Sequence, residues 1–107
     1  MTDKQLEAIE RDFYSLMNNI DNSYVKSNLA TEEKCIKWYR DAYAEIKHEE
    51  DLQLSKYRNN KDDEREVYTL ANRCRNGIEA KMISDYDRFN SESFYNNLCK
   101  LLLENNM

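Results

Sequence analysis

The chain has no proline and a single glycine, Gly77, among 107 residues. Those two residue types punctuate turns and strand ends, so a chain nearly without them is poorly equipped for a many-turned β architecture. Valine is confined to Val25 and Val67, and no stretch alternates apolar and polar side chains for long, as a half-buried strand does. One glycine also excludes a glycine-rich phosphate loop. The three cysteines, Cys35, Cys74 and Cys99, are odd in number, far apart and form no C-x-x-C pair. That pattern points to reduced, mostly buried thiols in a cytoplasmic protein. The opening residues, MTDKQLEAIERDF, lack the apolar core of a signal peptide. No apolar run approaches the ~20 residues of a membrane span, so no membrane role is expected.

Charge of one sign is also short. With 16 Lys and Arg against 21 Asp and Glu, the net charge is −5. Sequence-independent binding to nucleic acid needs a basic footprint, so direct nucleic-acid binding is disfavoured. A partner that is itself basic suits the chain better.

Aromatic side chains, by contrast, are plentiful: eight Tyr, three Phe and one Trp. A disordered chain is usually depleted in them. A folded domain is therefore expected despite 35% charged residues and a mean hydropathy of −1.00, and the length fits a single domain over residues 1–107.

The apolar residues recur at helical steps of three and four. Thr2 with Gln5 reads as a capping box, and Leu6, Ile9, Phe13, Leu16, Ile20 and Tyr24 then form the stripe of a first helix from Thr2 to Lys26. Residues 27–30 read as a connection. Thr31 is a good N-cap for a second helix, with Glu32 and Glu33 in its positive first turn and Cys35, Ile36, Tyr39, Ala42, Tyr43 and Ile46 on its stripe. Trp38 lies off the centre of that stripe. The run RNNKDDERE, Arg58 to Glu66, has no apolar residue. A hairpin near Asn59-Asn60 is expected there, with Asp62 or Asp63 starting a third helix that carries Val67, Leu70, Ala71, Cys74, Ile78, Met82 and Tyr86. The alternative is an unbroken rod, because Ile46 and Val67 are three heptads apart. Its polar middle would have nothing to pack on. Residues 85–91 read as a second connection. Ser91 caps a last helix with Phe94, Tyr95, Leu98, Leu101 and Leu102, and the terminal residues 104–107 read as a frayed tail. The fold expected is an all-α antiparallel bundle of three to four helices with long central helices.

Chemistry is sparse. EIKH, Glu45 to His48, places a carboxylate and an imidazole one helical turn apart, as paired-metal bundles do. Those bundles need two such motifs, and this chain has one histidine. The favoured reading is a solvated charged surface, with no metal and no cofactor. Cys35, near a helix start, is the best placed thiol for nucleophilic chemistry, but nothing beside it lowers its pKa. Arg73, Arg75 and Lys81 around Gly77 hint at a helix-turn-helix. The apolar period holds across the glycine, however, and an intact helix explains that better.

Outer surfaces remain. Trp38, Tyr39 and Tyr43, together with Phe94, Tyr95 and Leu98, are the strongest apolar groups, and aromatic residues dominate binding hot spots; ordinary core is the alternative for each. Glu45 and Glu49 add an acidic patch. The expected function is therefore binding without enzymatic activity: a small acidic helical protein that docks on a larger protein partner and modulates or inhibits it, in the style of phage- or mobile-element-encoded inhibitors, antitoxins and immunity proteins. This is an analogy of class. A homodimeric or larger scaffold or adaptor is the alternative, and a nucleic-acid-binding regulator is a remote one.

Overall fold

The structure, a computed structural model, describes residues 1–105. Four helices follow one another with no strand among the described residues: α1 (Asp3–Lys26), α2 (Glu32–Lys56), α3 (Lys61–Phe89) and α4 (Glu92–Asn105). The all-α bundle read from periodicity is the architecture observed.

Each helix starts where its local chemistry dictates. The Thr2 hydroxyl accepts from the Gln5 amide at 3.1 Å while the Gln5 side chain accepts from the Thr2 amide at 2.8 Å, a closed capping box. Thr31 accepts from the Lys34 amide at 3.2 Å. Ser91 accepts from the Phe94 amide at 3.2 Å. At α3 the expectation is corrected. Asn60, not Asp62 or Asp63, is the cap, its side-chain oxygen accepting from the amides of both aspartates at 2.9 and 3.3 Å. The aspartates sit instead in the first turn, where the helix dipole favours carboxylates.

The chain does break between α2 and α3, over residues 57–60, so the rod is excluded. The expected connection over 85–91 shrinks to residues 90–91. Asp85 is buried and bonded inside the bundle, and the helix runs on until Asn90 turns left-handed at φ 47°, a conformation asparagine tolerates better than most residues. Helix α4 runs through Asn105, so residues 104 and 105 are helical; residues 106 and 107 of the expected frayed tail lie outside the described set.

Cross-helix contacts fix the topology. Trp38 meets Ser23, and Gln53 meets Asp12, so α1 and α2 are antiparallel. Phe13 lies by Cys74, Asp21 by Lys81 and Tyr24 by Asp85, so α1 and α3 run the same way. Helix α4 then turns back along α3 in the groove between α2 and α3, on the side away from α1. Phe94 packs on Tyr39 and Phe89 at ring separations of 6.5 and 5.1 Å, and Tyr95 on Tyr86 at 5.6 Å. The core is continuous from Ile9, Phe13 and Ile20 through Tyr39, Tyr43, Ile46, Val67, Ile78 and Met82 to Phe94, Leu98 and Leu101. With α4 half the length of α3, the bundle has four helices at one end and three at the other.

Candidate partner-binding surfaces

The sequence candidates separate into two kinds. Tyr39, Tyr43, Phe94 and Leu98 are buried, at 0%, 2%, 0% and 6% exposure, so the notion of these four as surface anchors is corrected. They lie near the centres of their helical stripes, and closing α4 over α2 and α3 removes them from solvent. Tyr95 remains half exposed. Trp38, Glu45 and Glu49 stay accessible to varying degrees on the seam between α1 and α2.

On that seam the structure assembles a recess of about 160 Å³, lined by Ile20, Ser23, Trp38, Asp41, Ala42 and Glu45. Trp38, Asp41 and Glu45 stand at i, i+3 and i+7, one face of α2. The indole is held at one wall: its Nε1–H donates to the Ser23 hydroxyl at 3.1 Å, and its ring lies 5.1 Å from Tyr24 and 5.9 Å from Tyr39. Asp41 is bonded to Lys37 at 3.0 Å, but both side chains are mostly exposed, and such pairs hold little energy. One turn beyond Glu45 stands Glu49, which accepts from the buried Gln53 amide at 2.9 Å; the same amide donates to Asp12 of α1, also at 2.9 Å. A single amide thus steadies two carboxylates from different helices. The seam presents a row of acids, Asp41, Glu45, Glu49 and Asp12, starting at a fixed indole.

Glu50 and Asp51, the rest of the acidic run, leave this row. Asp51 pairs with Lys47 at 3.1 Å. Glu50 is buried on the opposite side, taking a bidentate pair from Arg75 at 2.8 and 2.9 Å. Asn72 accepts a third bond from the same guanidinium at 2.9 Å. The bond to Glu50 is the main reason that Arg75 holds its proton even more firmly than usual. This pair forms the floor of a cleft of about 840 Å³ between α2 and α3 beyond the end of α4, lined also by Tyr43, Lys47, Tyr68, Asn76, Glu104 and Asn105.

A second buried carboxylate, Asp85, accepts from the hydroxyls of Tyr39 and of Tyr24, the latter at 2.9 Å, and from Arg88 at 3.0 Å. Arg88 also donates to the Leu29 carbonyl at 2.9 Å. The cluster ties α1, α2, α3 and the first connection at one end. Burial first, and the bond to Asp85 second, push the Tyr24 phenol up to about 12, and the same causes push Tyr39 higher still. Cys35 lies beside it, and its thiol is raised chiefly by burial; burial also pushes the Cys74 thiol up, to about 11. A thiol with a raised pKa is a poor nucleophile at neutral pH.

In the EIKH segment, Glu45 and His48 are exposed, and among the described residues no three His, Cys, Asp or Glu side chains converge as metal ligands. Gly77 lies within an unbroken α3, the intact helix expected there in preference to a helix-turn-helix. Among the described residues no helix is long and apolar enough to cross a membrane. No family model, no curated protein and no solved structure matches the chain.

Proposed function

We propose that the protein binds a larger protein partner through the α1–α2 seam, recognising a basic patch on it and modulating that partner by covering it. The observation that supports this reading is the recess at Trp38, where a fixed, half-buried indole adjoins Asp41 and Glu45 at the head of a carboxylate row. An indole face and carboxylates together suit a lysine or arginine side chain, whose stem packs on the ring while its charge meets the acids. Aromatic anchors ringed by charge supply affinity at the centre, and the charge steers the encounter. The net charge of −5 acts in the same direction at longer range.

The test is affinity for the partner captured from the native host. Glu45→Lys combined with Glu49→Lys is expected to weaken binding by about a hundredfold, and Trp38→Ala by about tenfold or more. Tyr14→Ala, at a 72% exposed tyrosine on the α1–α3 side, is the silent control. Binding that survives charge reversal on the seam but falls with Tyr14→Ala contradicts the proposal.

A further inference from the structure

The Trp38 indole has little hydrogen bonding to hold it. Its Nε1–H donates to Ser23, an exposed serine, and an exposed bond adds little because water offers the same partner. Two rings supply the rest of the restraint. Tyr24 meets the indole at 5.1 Å and 62°, and Tyr39 meets it at 5.9 Å and 83°, both edge-on. Edge-to-face contacts favour one mutual orientation as well as one distance. Neither tyrosine lines the recess. Both are anchored at their far ends by a single group. The Tyr24 hydroxyl donates to Asp85 Oδ1 at 2.9 Å, and the Tyr39 hydroxyl donates to Oδ2 of the same carboxylate. Asp85 is held in turn by Arg88 at 3.0 Å, and Arg88 by the Leu29 carbonyl at 2.9 Å. Tyr39 is fully buried, so packing alone keeps its ring in place. Tyr24 is half-buried, and its bond to Asp85 decides where its ring stands. A carboxylate of α3 thus reaches, through two rings, a recess built by α1 and α2.

We propose that Asp85 is a positioning residue for the Trp38 seam: through Tyr24 and Tyr39 it holds the indole in the orientation that keeps the recess open beside Asp41 and Glu45. This inference rests on the seam's being the partner surface. Asp85 is 3% exposed and lies outside the recess lining, so it reaches a bound side chain only through the rings. Its contribution is preorganisation. An indole that is already ordered loses less freedom when a partner packs on it. An ionised carboxylate suits the task, because hydroxyl bonds to a charged acceptor are shorter and stronger than neutral ones. Its two oxygens also let one group fix both rings at once.

Trp38 is the one tryptophan of the chain, so tryptophan fluorescence reports this side chain alone. Tyr24→Phe removes the hydroxyl and keeps the ring; Asp85→Asn removes the charge and keeps the shape. Each is expected to lower the anisotropy of Trp38 and to raise its quenching by acrylamide about twofold, as a released indole samples more rotamers. Circular dichroism checks that the fold persists, and Tyr24→Phe carries the test alone if Asp85→Asn does not fold. Glu50→Ala breaks the other buried ion pair without touching these contacts, and should leave both signals in place. For the partner captured from the native host, Tyr24→Phe should weaken binding about threefold. It should add nothing in a Trp38→Ala background, since it acts through the indole. Unchanged quenching and anisotropy overturn the proposal, and so does a change that Glu50→Ala reproduces. Affinity that falls with Trp38→Ala but not with Tyr24→Phe overturns it too, as does a Tyr24→Phe loss that persists without the indole. If Trp38→Ala itself leaves affinity intact, the seam reading fails, while a fluorescence change confined to Tyr24→Phe and Asp85→Asn still supports Asp85 as the anchor of the indole.

Discussion

Asp85 is a carboxylate at 3% exposure that accepts from two tyrosines and an arginine. A buried charge is tolerated only when its lone pairs are met, so its donors should matter to stability. Tyr39→Phe deletes one of them and is expected to cost about 1–3 kcal/mol, read by urea denaturation. The same tyrosines set the alkaline limit. Their folded pKa values lie above the ordinary 10.0, so the folded state keeps phenolic protons that the unfolded chain gives up. Their contribution is complete below pH 10 and is lost as pH rises from there towards about 12 and beyond. Melting temperature should fall across that window, less steeply in Tyr39→Phe; a flat profile contradicts the assignment. Glu50 and Arg75 give a different signature. Glu50→Ala strands a buried guanidinium and should cost about 3–5 kcal/mol, whereas Glu50→Leu with Arg75→Met should recover most of that loss. None of these roles was legible in the sequence. Glu50, Gln53, Arg75 and Asp85 look like solvated polar residues, and their partners on other helices lie 25 to 61 residues away. Local periodicity holds no record of such pairing.

At the scale of the helices the sequence was far more readable. Every buried apolar residue of α1, α2, α3 and α4 lies on the stripe read from three-and-four spacing, because amphipathic period and burial have one geometric cause. Thr2, Thr31 and Ser91 were readable as caps because capping is a matter of three or four residues. The boundaries that failed were tertiary. Helix α3 overruns residues 85–89 because Asp85 is held inside the bundle, and Asn60 outcompetes Asp62 and Asp63 as cap once the hairpin fixes the entry of the chain. Asn60→Ala should cost about 1 kcal/mol. Gly77 offers a test of opposite sign. A Cβ there would fall 2.6 Å from the Met17 methyl, the far end of a flexible side chain that can swing aside. Gly77→Ala should therefore stabilise by up to about 1 kcal/mol through helix propensity. Destabilisation would show that Met17 is pinned and that the glycine serves a rigid helix contact.

For the whole molecule, the division between core and surface decides what the protein can do. Four of the eight residues proposed from sequence as partner contacts are packed inside. Composition marks them as strong anchors without saying which side of the bundle wall they occupy. Trp38, Glu45 and Glu49 survive because they flank the α2 stripe, and the structure adds Asp12, Asp41 and Gln53, which only the packing of α1 against α2 brings beside them. The bundle is pinned at one end by Asp85 and in the middle by Glu50 with Arg75. A frame held at both places offers preformed surfaces, so binding should proceed with little backbone change.

Hydrogen–deuterium exchange of the protein alone and with its captured partner reads that surface directly. Binding at the seam predicts added protection over residues 38–49 of α2 and 12–23 of α1, with α3 from residue 61 to 73 unchanged. Protection confined to the outer face of α3, with the Trp38 segment exchanging as in the free protein, would contradict the account.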